Sequence, residues 1–356
     1  MKKFLSIFIL AIAAVVIAVS FSSCASGNNN SSLTGTDTAG ETTSEITAGE
    51  TTSAETTAPE KTKVNITALI GPTGMGLVKL MEDNAAGTAS NDYNFTLSSA
   101  PDNVTAELIS GSTDLAALPL NLASVLYNKT EGKVQLAAVN TLGVLYMLEK
   151  GDTITSVADL RGKTIYATGQ GSTPEYILRY VLSQNGIDPD KDVTIEFKAE
   201  HAELAAAMTS NDVAIGMLPE PNVTAVLSGN TDVRVALDMN AEWQKLTGAP
   251  VIQGCVVVRT EFAKAHPEAV AAFLDEYKTS VDYVNANIPD AAKLIEKNGV
   301  LPKAAIAEKA LPRCNIVYRS AADSKTDVAA FLDILNSFNP KAIGGKLPGD
   351  DFYYSK

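Results

Sequence analysis

The sequence has few of the residues that build reactive or metal-binding centres. Among its 356 residues there are three cysteines and two histidines. The cysteines form no CxxC or Cys/His pair, which argues against a zinc site. His201 and His266 are isolated, so no Ser/His/Asp or Cys/His set can be assembled, and we expect both to be surface or helix-capping residues. The sequence therefore predicts neither a catalytic centre nor a bound metal or cofactor.

Cationic and aromatic side chains are also scarce. The chain has 28 Lys and Arg against 41 Asp and Glu, a formal net charge of −13, and it has no basic cluster. This charge argues against nucleic acid as a partner, because phosphate-backbone binding requires a surface rich in Lys and Arg. Only 6% of the residues are aromatic, which argues against a sugar ligand. A small anion stays compatible with this charge, because local backbone dipoles outweigh net charge inside a cleft.

A glycine-rich loop at 71–76 lacks the residues of a nucleotide site. It reads Gly-Pro-Thr-Gly-Met-Gly, and Leu-Val follows where a phosphate loop needs Lys-Ser/Thr. Without that lysine and hydroxyl the chain is not an ATPase of this type. The loop still joins a predicted strand to a predicted helix, where backbone N–H groups are free to bind a ligand. We predict ligand contacts from Thr73, Gly74 and Met75; a purely structural turn is the alternative.

The first 24 residues predict export from the cytoplasm. Two lysines precede an apolar run at 4–19, and two serines directly precede Cys24. A basic start, a short apolar core and small residues before a cut site are typical of an export signal. The cysteine makes it resemble a bacterial lipoprotein signal, with Cys24 lipidated and with Phe21 where that pattern prefers Leu. An uncleaved membrane anchor is the alternative, and both place the remaining chain outside the cytoplasm.

Residues 25–62 form a segment of Ser, Thr, Gly, Asn, Ala and Glu. The sequence Thr-Ala-Gly-Glu-Thr-Thr-Ser at 38–44 recurs at 47–53. Such a composition buries too little apolar surface to offset chain entropy, so we predict disorder. A tether of this length spans on the order of 35 Å. Such a tether would hold the folded part of the protein away from a membrane or extend it through a cell wall. A segment without any function predicts the same behaviour.

The rest of the chain is long enough for two domains and alternates short apolar strands with helices. That alternation occurs twice, and each time it predicts a mostly parallel sheet covered on both faces. The predicted strands lie at 64–70, 94–97, 115–118, 134–139, 164–167, 193–197 and 213–217, and the predicted helices between them at 77–81, 103–109, 122–127, 175–184 and 202–209. After an apolar run at 251–258, four more helices are predicted at 267–285, 289–298, 302–310 and 324–338.

The second of these units carries motifs of a known family. Asp-Leu-Arg-Gly-Lys stands at 159–163, Gly-Ser-Thr at 171–173 and Gly-Ile-Asp-Pro at 186–189. Together these motifs resemble the solute-binding proteins of ABC importers, in the nitrate/sulfonate/taurine branch and its thiamine-precursor-binding relatives. The resemblance covers residues 63 to about 340.

The resemblance implies an α/β fold of the type II periplasmic-binding-protein kind. Two α/β lobes are then joined by two crossover strands, and a ligand is held between them. The apolar runs at 144–148 and 251–258 stand where the crossovers are expected. Lobe 1 is then expected to comprise 63–147 and 253–356, and lobe 2 to comprise 148–252.

Further candidate ligand contacts follow the predicted strands. Gly171, Ser172 and Thr173 begin a helix whose free N–H groups suit a carboxylate, sulfonate or phosphate group. Glu220 lies in a Pro-Glu-Pro sequence that the resemblance places at the cleft mouth. It would accept hydrogen bonds from a ligand or, as the alternative, cap the next helix. Asn121 and Thr141 close two strands of the first unit, with helix capping the alternative for Asn121.

We therefore expect a monomeric, lipid-anchored receptor on the outer face of the cell membrane. It would deliver a compact anion or a small polar heterocycle to an ABC permease. A sensor partner of a membrane kinase and an extracytoplasmic enzyme using the same cleft are the alternatives. Cys255 and Cys314 are expected to be either one disulfide or free thiols, with a buried thiol favoured for Cys255 because its neighbours are apolar.

Overall fold

A computed structural model of the protein describes residues 61–355. The predicted signal peptide, the lipidation site at Cys24 and the Ser/Thr-rich segment up to residue 60 lie outside the described residues. The described part begins against the body of the protein, because the Nζ of Lys61 donates a hydrogen bond to the carbonyl of Gly87 at 2.8 Å.

Eleven strands of the described residues form two separate sheets. The strands are β1 (Lys63–Leu69), β2 (Asp92–Ser98), β3 (Leu115–Pro119), β4 (Val134–Leu142), β5 (Leu145–Lys150), β6 (Thr164–Thr168), β7 (Thr194–Lys198), β8 (Ile215–Pro219), β9 (Val233–Asp238), β10 (Ile252–Arg259) and β11 (Ile316–Ser320). One sheet has six strands in the order β11-β4-β10-β3-β1-β2, and the other has five in the order β7-β6-β8-β5-β9.

Helices cover these sheets. They are α1 (Pro72–Met75), α2 (Val78–Ala85), α3 (Pro101–Ser110), α4 (Leu120–Lys129), α5 (Thr173–Gln184), α6 (His201–Thr209), α7 (Asn222–Gly229), α8 (Met239–Thr247), α9 (Thr260–Ala265), α10 (Pro267–Ala286), α11 (Ile288–Lys297), α12 (Ala304–Ala310) and α13 (Ala321–Phe338). Their apolar faces are buried, as in α10, where Phe273 and Tyr277 stack one turn apart with ring centroids 5.5 Å from each other.

The sheet order defines the fold class. β1 pairs in parallel with β2 and β3, and β6 pairs in parallel with β7 and β8. The chain leaves the six-stranded sheet after β4 and returns to it at β10, which pairs antiparallel with β3 and β4. Two α/β lobes joined by two crossover connections are therefore present, which confirms the predicted type II architecture. We call the lobe around the six-stranded sheet the first lobe and the other the second lobe.

Several element boundaries differ from the predicted ones. The helix predicted at 103–109 begins earlier, because Pro101 occupies the first helical turn of α3 and Ala100 is the residue before it. Pro302 was expected to begin a helix, but α12 begins at Ala304. Strands β9 and β11 and helix α8 were not predicted. These elements are short or only half-buried, so the alternation of apolar and polar residues along them is weak. The two strands also pair with strands from distant parts of the chain.

An aromatic cluster packs the lobes together behind the sheets. Trp243 of α8 is 1% exposed. Its ring centroid lies 4.7 Å from that of Tyr180 in α5 and 5.4 Å from that of Phe331 in α13. Because α13 belongs to the first lobe and α5 to the second, Trp243 buries apolar surface of both lobes at once.

A buried ion pair also joins the lobes. The guanidinium of Arg313, in the first lobe, donates to Glu220 Oε1 at 2.5 Å and to Thr224 Oγ1 at 2.6 Å. Glu220 follows β8 of the second lobe, and its side chain is fully buried. Burial raises the pKa of Glu220, while Arg313 and Thr224 act to lower it. The only cation paired with this carboxylate among the described residues therefore comes from the other lobe.

Replacing Arg313→Gln should destabilise the protein, because a buried carboxylate would lose its cation. We expect a loss of about 3 kcal/mol at neutral pH, the lower end of the range for breaking a buried pair, since Arg313 is partly exposed. The raised pKa of Glu220 means that protonation relieves this cost as pH falls. Urea unfolding at neutral pH and in mild acid measures both effects, and an equal loss at both pH values would contradict this account.

Arg161→Gln is the matched control. Arg161 pairs with Asp192, and their side chains are 54% and 31% exposed. We expect it to change stability by less than about 1 kcal/mol, as is usual for exposed ion pairs.

Both described cysteines are free and buried. The thiol of Cys255 points to the carbonyl of Leu118 at 3.6 Å. Burial raises the pKa of both thiols above the ordinary value. Of the two alternatives left open by the sequence, the structure therefore contains free thiols and no disulfide between Cys255 and Cys314.

We expect neither thiol to react with a disulfide reagent in the folded protein, because both are protonated and inaccessible. Denaturation without a reducing agent should expose both in a protein that begins at Lys61 and so lacks Cys24. Recovery of no free thiol after denaturation would show instead that the two are oxidised to a disulfide.

Candidate functional site

The candidate site is a cavity of about 380 Å³ between the two lobes. It is lined by Pro101, Pro119, Asn121, Leu122, Gly169, Ser172, Thr173, Pro174, His201 and Gln253. These residues follow the carboxyl ends of β2 and β3 in the first lobe and of β6 and β7 in the second, apart from Gln253, which lies on β10. Parallel α/β sheets bind ligands at this edge.

A larger groove lies at the opposite edge of the first lobe. It measures about 790 Å³ and includes the start of β4 and the end of β10. Lys129, Lys133 and Lys264 line it together with Arg259. It involves one lobe only, whereas the smaller cavity has walls from both lobes, and we therefore assign the site to the cavity between them.

Four helices begin at this cavity, two from each lobe. Pro101 begins α3, Leu120 follows the lining Pro119 and begins α4, Thr173 begins α5 and His201 begins α6. None of the four has a side chain that caps its first N–H groups. Unsatisfied N–H groups and the positive ends of four helix dipoles therefore face one space.

The side chains of the described lining residues are polar or apolar and include no Lys or Arg. His201 is the one ionisable residue in this lining. Its Nδ1 lies 2.6 Å from the hydroxyl of Thr168, at the end of β6. Burial lowers the pKa of His201, and the nearby Glu200 opposes that shift. The cavity therefore offers neutral hydrogen-bond donors at neutral pH.

Three of the predicted site residues line the cavity: Asn121, Ser172 and Thr173. The hydroxyl of Ser172 donates to the carbonyl of Gly169 at 2.6 Å, so it shapes the turn and does not cap α5. The amide of Asn121 lies 3.4 Å from the carbonyl of Ala342. Asn121 lies on the wall from the first lobe, and Ser172 and Thr173 lie on the wall from the second. Their ligand contacts stay predictions.

The loop with Thr73, Gly74 and Met75 is not part of this lining. Met75 is fully buried in the core of the first lobe. A Cβ on Gly74 would lie 2.7 Å from the carbonyl oxygen of Leu69, so this glycine allows close backbone packing. The carbonyl of Thr73 accepts a hydrogen bond from Asn140. In the structure this loop packs against β1 and β4, and ligand contacts from Thr73, Gly74 and Met75 stay predictions.

The remaining predicted residues are engaged within the protein. Thr141 is fully buried and donates to the side chain of Asn140 at 3.1 Å. The N–H of Gly171 donates to Glu175 at 2.6 Å. Glu220 accepts the N–H of Thr224 at 3.0 Å, which is the capping alternative, besides its pair with the other lobe. Each lies outside the lining of the cavity, and a ligand role for each stays a prediction.

His201 and Gln253 are lining residues that sequence reasoning missed. His201 was expected at the surface or as a cap, but it stands where β7 ends beside β6, at the ligand-binding edge of the sheet. Gln253 is the polar residue of the apolar run at 251–258, and its Oε1 is buried without a hydrogen-bond partner among the described residues. The signal in the sequence that pointed to Gln253 was a single amide side chain within an otherwise apolar run.

The imidazole of His201 should titrate below the ordinary histidine value of 6.5, because its partly buried ring is costly to charge. An NMR titration of the ring protons measures this, with His201→Gln assigning the signal. A midpoint at or above that value in the free protein would contradict the neutral lining described above.

Comparison with known proteins agrees with this geometry. Residues 92–306 match the family model described as the periplasmic substrate-binding protein of phosphonate ABC transporters. The match spans more than half of the chain. The chain therefore belongs to this family, and it is the extracytoplasmic substrate-binding component of an ABC importer.

Solved structures share the fold. An ABC transporter protein from Parabacteroides distasonis is 26% identical, with a TM-score of 0.71 over 83% of this chain and 100% of that chain. The periplasmic aliphatic sulphonate binding protein SsuA from Escherichia coli is 18% identical, with a TM-score of 0.64 over 84% and 93%. The nitrate-binding protein NrtA from Synechocystis is 16% identical, with a TM-score of 0.51 over 71% and 70%.

No curated protein sequence matches the chain. Within residues 61–355, each helix is too short or too polar to cross a bilayer. In the same range, no three His, Cys, Asp or Glu residues are placed to hold a metal ion.

Proposed function

We propose that the cavity between the lobes binds a small anion that carries a phosphonate or sulfonate group. The observation that supports this proposal most strongly is that four helices begin at this cavity, two from each lobe, and that none of them has a side-chain cap. Backbone N–H groups at helix starts are well suited to tetrahedral oxyanions. The family description names phosphonate, and the similar structure from Escherichia coli is named for aliphatic sulphonates.

The lining supports this ligand class over the alternatives. Its hydroxyls, amides and one imidazole can all donate to oxygen, whereas the described lining offers no carboxylate for a cationic ligand and no Trp, Tyr or Phe for a sugar ring. The volume of about 380 Å³ falls in the lower part of the range for small-molecule sites.

Binding should also couple the two lobes. A ligand that contacts helix starts of both lobes has more partners when the cleft is shut, so it shifts the population toward closure. We infer that the closed form docks on a membrane permease, that Cys24 carries the lipid anchor and that the receptor acts as a monomer. Cys24 and the segment after it lie outside the described residues, so their support is the sequence pattern alone.

An enzyme using the same cleft is the weaker alternative. The hydroxyl of Ser172 donates to Gly169, and the Nδ1 of His201 pairs with Thr168. Ser172 is therefore not paired with a base, and the hydroxyl that pairs with His201, that of Thr168, is buried and outside the lining of the cavity. A sensor role would use the same ligand contacts, and signalling to a kinase in place of uptake would distinguish it.

The ligand class can be tested by changing the charge of the site at constant shape. Asn121→Asp keeps the side-chain volume, and an acid in the first turn of α4 favours that helix. We expect affinity for methylphosphonate and ethanesulfonate to fall about tenfold or more by calorimetry, because two like charges then share the cavity.

Asn94→Asp makes the same change at an exposed position on β2, outside the lining, and should leave both affinities unchanged. Tighter binding of any ligand by the Asn121→Asp variant, or binding of glucose alone by the unaltered protein, would contradict an anion site.

A further inference from the structure

The hydroxyl of Tyr176 connects the cavity wall to the opposite lobe. Tyr176 lies in α5 of the second lobe and is 7% exposed. Its hydroxyl donates to the carbonyl of Gly171 at 2.9 Å and accepts from the Nδ2 of Asn339 at 2.8 Å. Asn339 follows α13 of the first lobe. One phenol therefore bonds both to the turn that begins the ligand-binding helix and to the lobe across the cleft.

The turn at 169–172 depends on such bonds for its shape. Gly169 and Gly171 both have a positive φ, at 75° and 72°. A Cβ on Gly171 would meet no atom within 4 Å, so packing does not restrain this residue. Hydrogen bonds hold the turn instead. The N–H of Gly171 is taken by Glu175, the carbonyl of Gly169 by Ser172 and the carbonyl of Gly171 by Tyr176.

The Tyr176 bond is the one of these three that reaches the other lobe. It fixes the carbonyl of the peptide plane that joins Gly171 to Ser172. That plane stands directly before Thr173, whose N–H begins α5 at the cavity. Rotation of this plane would therefore change how the first N–H groups of α5 are aimed.

Asn339, the residue of the first lobe in this contact, is also fixed in its orientation. The Oδ1 of Asn339 accepts the N–H of Lys341 at 3.1 Å, which fixes the direction of its amide. The ring of Tyr176 stacks on that of Phe338, with centroids 6.4 Å apart and planes at 23°. Moving the first lobe relative to the second would withdraw both contacts together.

We propose that Tyr176 is a positioning residue that sets the shape of the 169–172 turn according to the relative placement of the lobes. This inference rests on the proposed anion site and deepens it. When Asn339 holds the phenol, the turn presents the start of α5 to the ligand. When the lobes move apart, the phenol loses that restraint, and the turn is held only by the bonds from the N–H of Gly171 to Glu175 and from Ser172 to the carbonyl of Gly169. Lobe placement and ligand affinity are thereby coupled through one side chain.

The first test needs no ligand. Asn339→Ser removes the donor to Tyr176 but keeps a side chain that can accept the N–H of Lys341. Amide hydrogen exchange of the segment around 169–173 should become several-fold faster, although the substitution lies in the other lobe. Tyr176→Phe should accelerate it at least as much. Unchanged exchange at this turn in both variants would overturn the proposal.

The second test measures affinity. Tyr176→Phe should weaken methylphosphonate binding about tenfold, because the turn before α5 would no longer be held in the shape that presents its first N–H groups. It should also lower the unfolding midpoint, because the folded protein loses two hydrogen bonds. Adding Asn339→Ser to Tyr176→Phe should weaken binding no further, because both act through the same phenol. Additive losses would overturn the coupling.

Tyr180→Phe is the matched control. Tyr180 lies one turn later in α5, and its ring packs in the same aromatic cluster between the lobes. It should alter neither exchange at 169–173 nor affinity, and an effect equal to that of Tyr176→Phe would assign the effect to general packing. If the unaltered protein binds neither methylphosphonate nor ethanesulfonate, the proposed function fails, while the exchange result still decides the role of Tyr176.

Discussion

The proposed site depends on backbone N–H groups in helix first turns that no side chain of the protein caps. At α8 and α13 the chain satisfies the first turn with Asp238 and Ser320. At α3, α4, α5 and α6 no side chain caps the first turn. Several other helices, among them α9, α10 and α11, also lack a side-chain cap, and the four are distinguished by beginning at the cavity between the lobes. Exposed helix starts elsewhere are served by water, but a closed cleft removes that water. In the proposed function a bound oxyanion is the partner that satisfies them, without any Lys or Arg in the described lining.

Contacts between the lobes determine the relative position of the two walls of that cavity. Trp243 packs against both lobes, and Arg313 supplies the cation for a carboxylate of the other lobe. Tyr176 bonds both to Asn339 and to the 169–172 turn. The first two contacts lie away from the cavity, and the third reaches its wall. Lobe placement therefore has a direct physical route to the ligand, which a receptor needs if closure is to report occupancy.

The fold was predictable because its signals are local. Short apolar strands alternate with helices in both units, and prolines or glycines mark many of their ends, so the two-lobe architecture followed from pattern and resemblance. The strands β9 and β11 were not predicted, because their formation depends on pairing with β5 and β4, which are distant in the sequence. Local pattern does not encode such pairing.

The site was predictable only in part, for a related reason. The wall at Ser172 and Thr173 was found because its glycines and Thr-Pro sequence mark a helix start. The 71–76 loop has similar composition, yet its Met75 is core and its Gly74 serves close packing. His201 looked isolated because its partner Thr168 stands on a neighbouring strand and not beside it in sequence. Which loops share a cavity is a tertiary property.

The most direct measurement of the central claim is an amide NMR titration with methylphosphonate. A backbone oxyanion site predicts that the largest N–H shifts fall on the first turns of α3, α4, α5 and α6, in both lobes together. Shifts confined to the lysine-lined groove around Lys129 and Lys133, or to one lobe, would contradict it.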